Sequence, residues 1–472
     1  MIPANRHVKF TGQLVIVGFG SIGQGVLPLL LRHIDMTPQQ ITIITAEERG
    51  AAVAHEYGVR FVQVPLTTEN YVKVLEPLLG QGDFLLNVSV EVASTALIAL
   101  CQKEGALYLD TCIEPWPGLY TDTSLPPSAR SNYALREAAL TLRTTGDAPT
   151  AVLTHGANPG LVSHFVKQAL LDLANDTGIY IAPPTTRQGW GELAQQLGVK
   201  VIHIAERDTQ VASRPKTPGE FVNTWSIDGF YVEGAQPAEL GWGTHERHFP
   251  KDGSRHDFGP DCAIFLNRPG AATRVRSWTP LEGPYHGFLI THSEAISISD
   301  YLTLRDGDGA ARYRPTVHYA YHPCDDAVLS LHELAGKNWV LQEEKRLMMK
   351  EIVEGIDELG VLLMGHARNA YWYGSQLSVA EARRLVPHNN ATSLQVTAAV
   401  LAAVVWAMEN PRRGIVEPDE MDFTRIIEIC APYLGNVIGA YGDWTPLDGR
   451  DNPFPEDLDR FDPWQFKNFR VT

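Results

Sequence analysis

Gly18-Phe19-Gly20-Ser21-Ile22-Gly23 decides the fold, because it follows an apolar β-branched run and precedes apolar residues at helical spacing. Its three glycines permit a tight turn and a close approach of the backbone to a pyrophosphate. The helix that follows offers free N–H groups to phosphate. In this context the stretch predicts a dinucleotide-binding loop, and the alternative is a glycine-rich turn without a ligand. The predicted cofactor contacts are Gly18, Gly20, Ser21, Ile22 and Gly23.

Strand-like and helix-like segments alternate from this loop onward. The predicted strands are residues 14–17, 41–45, 61–64, 84–88, 106–111 and 151–154, and the predicted helices are 47–57, 71–79, 92–104 and 132–145. The alternation predicts an α/β protein with an N-terminal Rossmann domain, that is, a doubly wound parallel sheet. Because ligands bind beyond the carboxyl ends of such strands, we expect the cofactor near Asn87, Val88, Ser89 and Thr111.

The second strand indicates which nicotinamide cofactor is bound. It ends without an aspartate, and Glu47 and Glu48 follow at once. An acidic residue here accepts a hydrogen bond from the ribose 2′-OH of NAD, whereas an arginine binds the 2′-phosphate of NADP. Arg49 is the nearest arginine, and none stands immediately at the strand end. The sequence therefore favours NAD, with the two glutamates as ribose ligands or as N-terminal charges of the next helix.

The remaining chain predicts a second α+β domain with a mixed sheet. Residues 180–323 are rich in β-formers, aromatic residues, glycine and proline, residues 339–364 indicate a helix leading into a strand, and residues 392–408 predict an apolar helix of small residues. The tail from residue 443 is expected to wrap the surface. We predict an NAD-binding domain over 1–150, a substrate-binding and dimerisation domain over 151–390, and a C-terminal helix and tail over 391–472 that pack back on the first domain.

Composition excludes several classes of partner. A net charge of −16 over 472 residues argues against nucleic acid, whose phosphates would be repelled. No run reaches the ~18 apolar residues of a membrane helix, and no signal peptide is evident, so we expect a cytoplasmic protein. The five cysteines are far apart, as expected for reduced thiols. No metal site is predicted, because the spacing of His318, His322, Asp325 and Asp326 matches no common one.

Several motifs resemble one family over essentially the whole chain. They are the glycine-rich loop, Asp110-Thr111-Cys112-Ile113-Glu114-Pro115-Trp116, His155-Gly156-Ala157-Asn158-Pro159-Gly160, and Asn223-Thr224-Trp225-Ser226 followed by Glu233-Gly234. With them the sequence resembles the bacterial homospermidine synthases, which are relatives of the saccharopine dehydrogenases.

The resemblance implies a homodimer that holds NAD firmly and does not consume it overall. It implies that one putrescine is oxidised to an imine, that the amine of a second putrescine displaces ammonia, and that reduction of the new imine gives sym-homospermidine. Related diamines are possible substrates. The pocket residues that the resemblance implies are Trp225, Glu233, Glu206, Glu114, Asn158 and His292.

These residue types suit a substrate with two cationic ends. A cation over an indole gains roughly 0.5–2 kcal/mol, so Trp225 is expected to steady amines and iminium species while Glu233 anchors a distal ammonium. Glu114 or Glu206 is expected to move the amine proton, and His292 is able to share that work. Each residue also has an ordinary structural explanation. Trp225 is otherwise a core aromatic, Glu233 a solvated turn residue and His292 a satisfied polar residue.

Asn158 and Pro159 occupy a turn-like position after a strand. We expect both beside the cofactor, with Asn158 orienting the nicotinamide or an amine. The structural alternative is an asparagine bonded to its own backbone.

Two other functions remain open. An NAD(P)-dependent amino-acid dehydrogenase of the saccharopine or carboxyspermidine type acts on carboxylates, which arginines in the pocket would bind; Arg207, Arg247 and Arg274 are available. A non-catalytic NAD-binding sensor is the third possibility, and the set of acidic and aromatic residues disfavours it.

Overall fold

The first layer of the structure is a parallel sheet of seven strands. The structure is a computed structural model that describes residues 5–450 and 453–471, so residues 1–4, 451–452 and 472 of the predicted domains lie outside the described residues. In spatial order the strands are Ile415–Val416, Ala151–Val152, Leu107–Asp110, Phe84–Asn87, Leu14–Val17, Ile41–Thr45 and Arg60–Gln63. All neighbours pair in parallel, which confirms the predicted Rossmann sheet.

Helices follow these strands and begin near the sheet's carboxyl edge. They are Ser21–His33, Ala51–Tyr57, Tyr71–Leu75, Ser94–Glu104, Asn132–Leu140 and Leu161–Asp176. The helix predicted over 47–57 begins only at Ala51, because Gly50 precedes it in a left-handed conformation with φ of 97°. The helix predicted over 71–79 ends at Leu75 and continues as a 3-10 turn, since Pro77 has no N–H to donate.

The second layer is a mixed sheet of ten strands, as predicted. The strands are Val201–Asp208, Pro237–Gly241, Gly253–Arg255, Ala263–Pro269, Arg274–Thr279, Gly283–Phe288, Thr316–His322, Ile356–His366, Asn369–Ser378 and Asn436–Gly442. Val201–Asp208 is central, with Thr316–His322 parallel on one side and Ile356–His366 antiparallel on the other. All but one of its eight residues are buried. A polar side chain on this strand is therefore held deep in the protein.

Short strands and helices surround this sheet. The paired short strands are Val8–Lys9 with Ile34–Asp35, Val211–Ala212 with Ile352–Glu354, Glu220–Asn223 with Glu344–Leu347, and Leu304–Arg305 with Ala311–Tyr313. The helices are Arg187–Leu197, Asp228–Ala235, Ser293–Tyr301, Asp325–Gly336, Val379–Leu385, Ala391–Glu409, Phe423–Cys430 and Phe466–Phe469.

The helix predicted within residues 339–364 is wrong. Glu344–Leu347 forms a strand that pairs in parallel with Glu220–Asn223, and Ile356–His366 lies in the middle of the mixed sheet. Residues such as Glu343, Lys345 and Met348 favour helices locally, but pairing with distant strands overrides that weak preference.

Helix Ala391–Glu409 joins the two layers. It packs against helix Ser21–His33 and against strands of both sheets. Among the described residues it is the one helix long and apolar enough to cross a membrane, with a mean hydropathy of 1.7, and 89% of that window is buried in the protein. Such burial is that of a core helix. Asn390 caps it through the backbone N–H of Ser393 and donates to the carbonyl oxygen of Thr224 at 2.6 Å.

The parallel sheet draws on all three predicted segments. Ala151–Val152 and Ile415–Val416 both extend it beyond residue 150. The tail packs on the mixed sheet through Phe466 and Phe469, which are buried. The domain boundaries at residues 150 and 390 therefore stay a prediction. Each sheet contacts segments from more than one of the predicted domains.

Candidate active site

The loop at the end of the first strand is shaped by close backbone contacts. Gly18 has φ of 87°, and a Cβ there would lie 2.7 Å from the backbone of Ser89. Its N–H donates to the carbonyl oxygen of Ile44 at 2.9 Å, and the N–H of Val88 donates to that of Val17 at 2.8 Å. Glycine therefore lets the ends of three parallel strands converge at one edge of the sheet.

The same loop leaves space where a phosphate would lie. A Cβ on Gly20 would meet nothing within 4 Å, whereas one on Gly23 would lie 2.9 Å from the carbonyl oxygen of Gly18. Helix Ser21–His33 begins here with no side chain capping its first N–H groups. Free N–H groups facing open space at a helix N-terminus suit the pyrophosphate of a dinucleotide.

A cavity of about 610 Å³ opens beside this loop and continues to the mixed sheet. Of the predicted cofactor contacts, those that line it are Gly18, Gly20, Ser21, Ile22, Val88, Ser89, Thr111, Asn158 and Pro159. Gly23 and Asn87 do not line it. Asn87 is buried beneath the loop and accepts hydrogen bonds from the hydroxyl and N–H of Ser89 at 2.6 and 3.2 Å, so it shapes the loop from behind.

One end of the cavity follows the second and third strands. Its wall includes Thr45, Glu47, Arg49, Val64 and Leu66, but not the neighbouring residue 48. Glu47 precedes the first residue of the following helix by four positions, so the alternative that it is a helix N-terminal charge is wrong. The carboxylate of Glu47 lies 3.4 Å from the guanidinium of Arg49, and both side chains are exposed. A carboxylate here suits the ribose 2′-OH of NAD and would repel the 2′-phosphate of NADP.

All six predicted catalytic residues line the same cavity. They are Trp225, Glu233, Glu206, Glu114, Asn158 and His292. Trp225 follows a buried strand, and its backbone carbonyl accepts a hydrogen bond from the hydroxyl of Ser21. The indole packs 5.9 Å from the ring of Phe230, measured between centroids. The nucleotide loop and the tryptophan are thus directly linked.

Glu206 lies in the central strand of the mixed sheet with 2% of its surface exposed. Its Oε2 accepts hydrogen bonds from Nδ2 of Asn158 at 2.9 Å and from the hydroxyl of Tyr319. Burial raises the pKa of Glu206 to about 7, although these two donors oppose the rise. Its carboxyl group is therefore able to gain or lose a proton near neutral pH.

Asn158 is presented by a tight turn. Gly160 has φ of 124°, and a Cβ there would lie 2.3 Å from the carbonyl oxygen of Gly156. The N–H of Gly156 donates to the carbonyl oxygen of Pro159 at 2.7 Å. The side chain of Asn158 reaches Glu206 instead of its own backbone, so the turn-forming alternative does not describe it.

His292 lies between two carboxylates. Its Nε2 is 3.1 Å from Oε2 of Glu233, and its Nδ1 is 3.2 Å from Oε1 of Glu294. Burial would lower the pKa of His292, but Glu294 and Glu233 outweigh it and raise the pKa to about 10. The ring centroid of Tyr319 lies 4.4 Å away. At neutral pH this raised pKa favours the doubly protonated ring.

Glu114 closes the cavity from the first domain. Its Oε2 accepts a hydrogen bond from the N–H of Glu91 at 3.1 Å, and its own N–H donates to the hydroxyl of Ser94 at 3.0 Å. Burial raises the pKa of Glu114 to about 8, with a further contribution from the charge of Glu233. Glu114 therefore binds a proton at neutral pH unless a cation lies beside it.

Sequence reasoning missed three residues of this site. Tyr319 lines the cavity, and Asp208 and Asp357 lie buried behind it on paired positions of neighbouring strands. Both oxygens of Asp357 have no hydrogen-bond partner among the described residues. Burial raises its pKa well above the usual value, and Glu206 and Asp208 add to the rise. Strand alternation already puts Glu206 and Asp208 on one face, but nothing local indicates that Tyr319 joins them.

The cavity is rich in acids and poor in bases. Its wall carries six carboxylates and, among the described residues, two side chains of the lysine and arginine type, Arg49 and Lys345. Lys345 pairs with Asp228. None of the three arginines of the dehydrogenase alternative lines it. Arg207 pairs with Glu282 and Asp325, Arg247 pairs with Asp459, and Arg274 lies over the ring of Phe288.

The cluster of histidines and aspartates around Pro323 lies apart from this cavity. The ring of His318 is buried 4.0 Å from that of His203, and His322 contacts the carbonyl oxygen of Pro323. Asp325 contacts Arg207, and Asp326 accepts from the N–H of Lys216. Within residues 5–450 and 453–471, no group of three or more potential ligands is arranged to hold a metal ion.

Comparisons with known proteins agree with this architecture. The saccharopine dehydrogenase NADP binding domain matches residues 14–153, and the saccharopine dehydrogenase C-terminal domain matches residues 156–443. Homospermidine synthase of Blastochloris viridis is 56% identical over 468 residues, covering 98% of both chains. That of Mesorhizobium japonicum is 53% identical over 473 residues, covering 98% of this chain and 97% of its own. The crystal structure of homospermidine synthase from Legionella pneumophila in complex with NAD has a TM-score of 0.92 at 52% identity, with 98% of both chains covered.

Proposed function

We infer that this chain, which belongs to the homospermidine synthase family, uses putrescine as both donor and acceptor of the aminobutyl group. The chain is a transferase that uses NAD. The proposed reaction converts two putrescine molecules into one sym-homospermidine and one ammonia, with no net change in the cofactor. Related diamines are further candidate substrates.

One observation carries the choice of substrate. The cavity beside the nucleotide loop is walled by carboxylates and an indole, and the guanidinium and ammonium groups on its wall are Arg49 and Lys345 among the described residues. A carboxylate buried in such a place is costly unless a cation pairs with it. A diamine supplies two cations and carries no carboxylate of its own. Its charge therefore complements the site.

The residues near the glycine-rich loop fit NAD. The open space at Gly20 and the free N–H groups of the following helix suit the pyrophosphate, and Glu47 suits the ribose 2′-OH. When bound, NAD supplies a reversible store for hydride. Thr111, Asn158 and the loop after Asn87 would then hold the nicotinamide end.

Glu206 is proposed to take the proton that the first amine must lose before its neighbouring carbon is oxidised. A general base works best when its pKa lies near the working pH, and that of Glu206 is raised to about 7. Glu114 is the second candidate, and it is better suited to pairing with a cationic amine after that amine has bound. Asn158 fixes the orientation of the Glu206 carboxylate.

Trp225 and Glu233 are proposed to bind the cationic end of the diamine. Cations over an indole are stabilised by up to roughly 2 kcal/mol when water is excluded. Glu233 is fixed by His292, so its carboxylate is presented in one orientation.

The transfer step follows oxidation of the first putrescine to an imine. The second putrescine attacks the imine carbon, a carbon–nitrogen bond forms, and the original amine leaves as ammonia after it gains a proton.

The charge of the cavity disfavours an amino-acid dehydrogenase of the saccharopine or carboxyspermidine type. Such a substrate would bring carboxylates into a wall of carboxylates, and Arg207, Arg247 and Arg274 are engaged elsewhere. A non-catalytic sensor would not need Glu206 at a pKa suited to proton transfer.

Assembly, location and domain roles belong to the same proposal. We expect a homodimer in the cytoplasm, with residues 1–150 binding the cofactor and residues 151–390 forming the substrate and dimerisation unit. Within residues 391–472, the helix packs back on the first domain, whereas the tail packs on the mixed sheet. The charge of −16 disfavours nucleic acid as a partner.

Product analysis tests the function directly. The enzyme carrying NAD is incubated with putrescine alone, and products are identified by mass spectrometry while NADH is followed by absorbance. Homospermidine and ammonia without net NADH are expected. Accumulation of NADH with an oxidised monomer would indicate a dehydrogenase, and unchanged putrescine would indicate a sensor.

A further inference from the structure

Glu294 is a buried carboxylate whose one polar contact with the active site, among the described residues, is with His292. It does not line the cavity, and 1% of its surface is exposed. Its Oε1 lies 3.2 Å from Nδ1 of His292, and its Oε2 has no hydrogen-bond partner among the described residues. Within the part of the chain that the structure describes, the imidazole is therefore the one polar partner that explains why a carboxylate lies here.

The local backbone favours an anion at this position. Glu294 is the second residue of helix Ser293–Tyr301, and His292 is the N-cap. Negative side chains in the first turn of a helix are stabilised by its dipole, typically by about 0.3–1 kcal/mol. A buried carboxylate also needs a cation beside it, because the free energy of desolvation otherwise exceeds the stabilisation by the helix dipole.

The other nitrogen of the same ring faces the cavity. Nε2 of His292 lies 3.1 Å from Oε2 of Glu233, whose side chain is 13% exposed. A neutral imidazole has one N–H and one lone pair, so it can donate to only one of two carboxylates. Donation to both requires the doubly protonated ring. The carboxylate of Glu294, the ring of His292 and the carboxylate of Glu233 thus form a chain of contacts that ends at the substrate cavity.

We propose that Glu294 is a positioning residue that acts through His292, holding the ring as an imidazolium whose Nε2–H fixes the carboxylate of Glu233 toward the amine of the substrate. The part that concerns the amine rests on the proposed function. The part that concerns the ring does not, since it follows from the three side chains alone.

The other groups around the ring agree with this state. The titratable groups that face His292 or act on its partners are Glu233, Glu294, Glu206, Tyr319, Glu114 and Cys112. All of these groups are acids, so none of them carries a positive charge that would repel a proton from the ring. Burial lowers the pKa of His292 and the two neighbouring glutamates raise it, with a net result of about 10. A raised pKa means that the cation is present at neutral pH and is lost as the pH rises through that value.

Replacing Glu294 by glutamine keeps the shape and one acceptor but removes the charge. One neighbouring opposite charge commonly raises the pKa of a histidine by about 1–3. With the pKa lowered by about 2, the protonated fraction of His292 at pH 9 falls about tenfold, whereas at pH 7 it changes little. Turnover in Glu294→Gln should therefore fall selectively at alkaline pH, and Glu294→Asp, which keeps the charge, should restore the wild-type profile.

The titration of the ring itself provides the decisive test. The full-length protein is labelled with nitrogen-15 histidine and followed by NMR without substrate, and the signal of His292 is assigned by its loss in His292→Asn. In the wild type both ring nitrogens should stay protonated at about pH 8, and in Glu294→Gln the ring should titrate within the neutral to alkaline range. Glu246→Gln serves as the control, because Glu246 is also buried but bonds to Thr316 and Phe466.

Two results would overturn the proposal. One is a neutral His292 in the wild type at neutral pH, for which His292→Asn serves only to assign the signal. The other is an unchanged titration in Glu294→Gln, with any loss of turnover equal at all pH values. Because the NMR experiment uses no substrate, it fails or succeeds independently of homospermidine formation by the wild type.

Discussion

The hydroxyl of Ser21, the first residue of the helix after the glycine-rich loop, donates a hydrogen bond to the backbone carbonyl oxygen of Trp225. The residue that begins the nucleotide site therefore also fixes the indole in the substrate site. The two halves of the cavity lie in different layers of the fold, and this contact sets their separation. If a cation binds over the indole as proposed, it would lie close to the glycine-rich loop.

The indole should be the largest single contributor to substrate binding. Trp225→Ala should lower kcat/KM for putrescine by about 30-fold, equivalent to about 2 kcal/mol for a desolvated cation–π contact. Trp225→Phe should lower it less, because an aromatic face remains. Steady-state kinetics measure both. Trp242→Phe is the control, since Trp242 is buried in a separate apolar cluster. Unaltered kinetics of Trp225→Ala would exclude the indole from catalysis.

The hydroxyl of Tyr319 should control the pH profile. It donates to Glu206, and a donor to a carboxylate favours the charged form. Tyr319→Phe should therefore raise the pKa of Glu206 from about 7 and move the acid limb of kcat/KM to higher pH.

Tyr321 offers a matched control for that experiment. Its ring stacks on that of Tyr319 with centroids 5.1 Å apart, and its hydroxyl has no hydrogen-bond partner among the described residues. Tyr321→Phe should leave the acid limb in place. Equal profiles for the two phenylalanine variants would contradict a role for the Tyr319 hydroxyl.

Two glycines of the loop should respond differently to the same substitution. A side chain on Gly20 enters the open space, so Gly20→Val should weaken NAD binding by about 1–3 kcal/mol, the usual cost of overpacking, with little change in the Tm of the protein without cofactor. Gly18→Val should lower that Tm, because φ is 87° and the backbone of Ser89 blocks the Cβ. Calorimetry with and without NAD separates the effects. A lower Tm for the cofactor-free Gly20→Val protein would oppose this assignment.

Glu47 should select the cofactor. Glu47→Gln removes the charge that would repel a 2′-phosphate and leaves Arg49 free to bind it. We expect the ratio of Kd values for NADP and NAD to fall at least about tenfold, equivalent to about 1.4 kcal/mol. Glu48→Gln is the control, since Glu48 does not line the cavity. The same ratio in both variants would leave cofactor choice to another residue.

The buried pair Asp208 and Asp357 should make stability depend on pH. Burial raises the pKa of Asp357 above its value in the unfolded chain, so the folded state binds the proton more tightly and loses stability as the pH rises. Asp357→Asn should therefore raise the Tm at about pH 8 and change it little below about pH 4. Asp208→Asn should not stabilise, because Asp208 accepts hydrogen bonds from Gln210 and Thr224. A Tm gain for Asp357→Asn that is independent of pH would refute the electrostatic cause.

The nucleotide half of the site could be predicted because its signals are local. One short stretch carries the strand, the turn and the helix, and the strand ends follow from alternation along the first domain. The six residues of the substrate half were identified by resemblance, and the structure brings all of them to one cavity.

What escaped prediction depends on pairing between distant strands. Tyr319 meets Glu206 because Thr316–His322 lies beside Val201–Asp208, a register that no local pattern indicates. Asp357 lies opposite Asp208 for the same reason, within the region where a helix leading into a strand was predicted. Glu294 stands two residues after His292 in the sequence, but its proposed positioning role depends on the direction of the helix that begins at Ser293.

Pairing of Ile415–Val416 with Ala151–Val152 has a consequence for biosynthesis. The edge of the nucleotide-binding sheet is completed by a segment that is synthesised after the other six strands of that sheet. An unfinished nascent chain therefore exposes an unpaired strand edge at Ala151–Val152, together with the surface that helix Ala391–Glu409 later covers. Completion of the parallel sheet is in this way deferred until residues 415–416 have been synthesised.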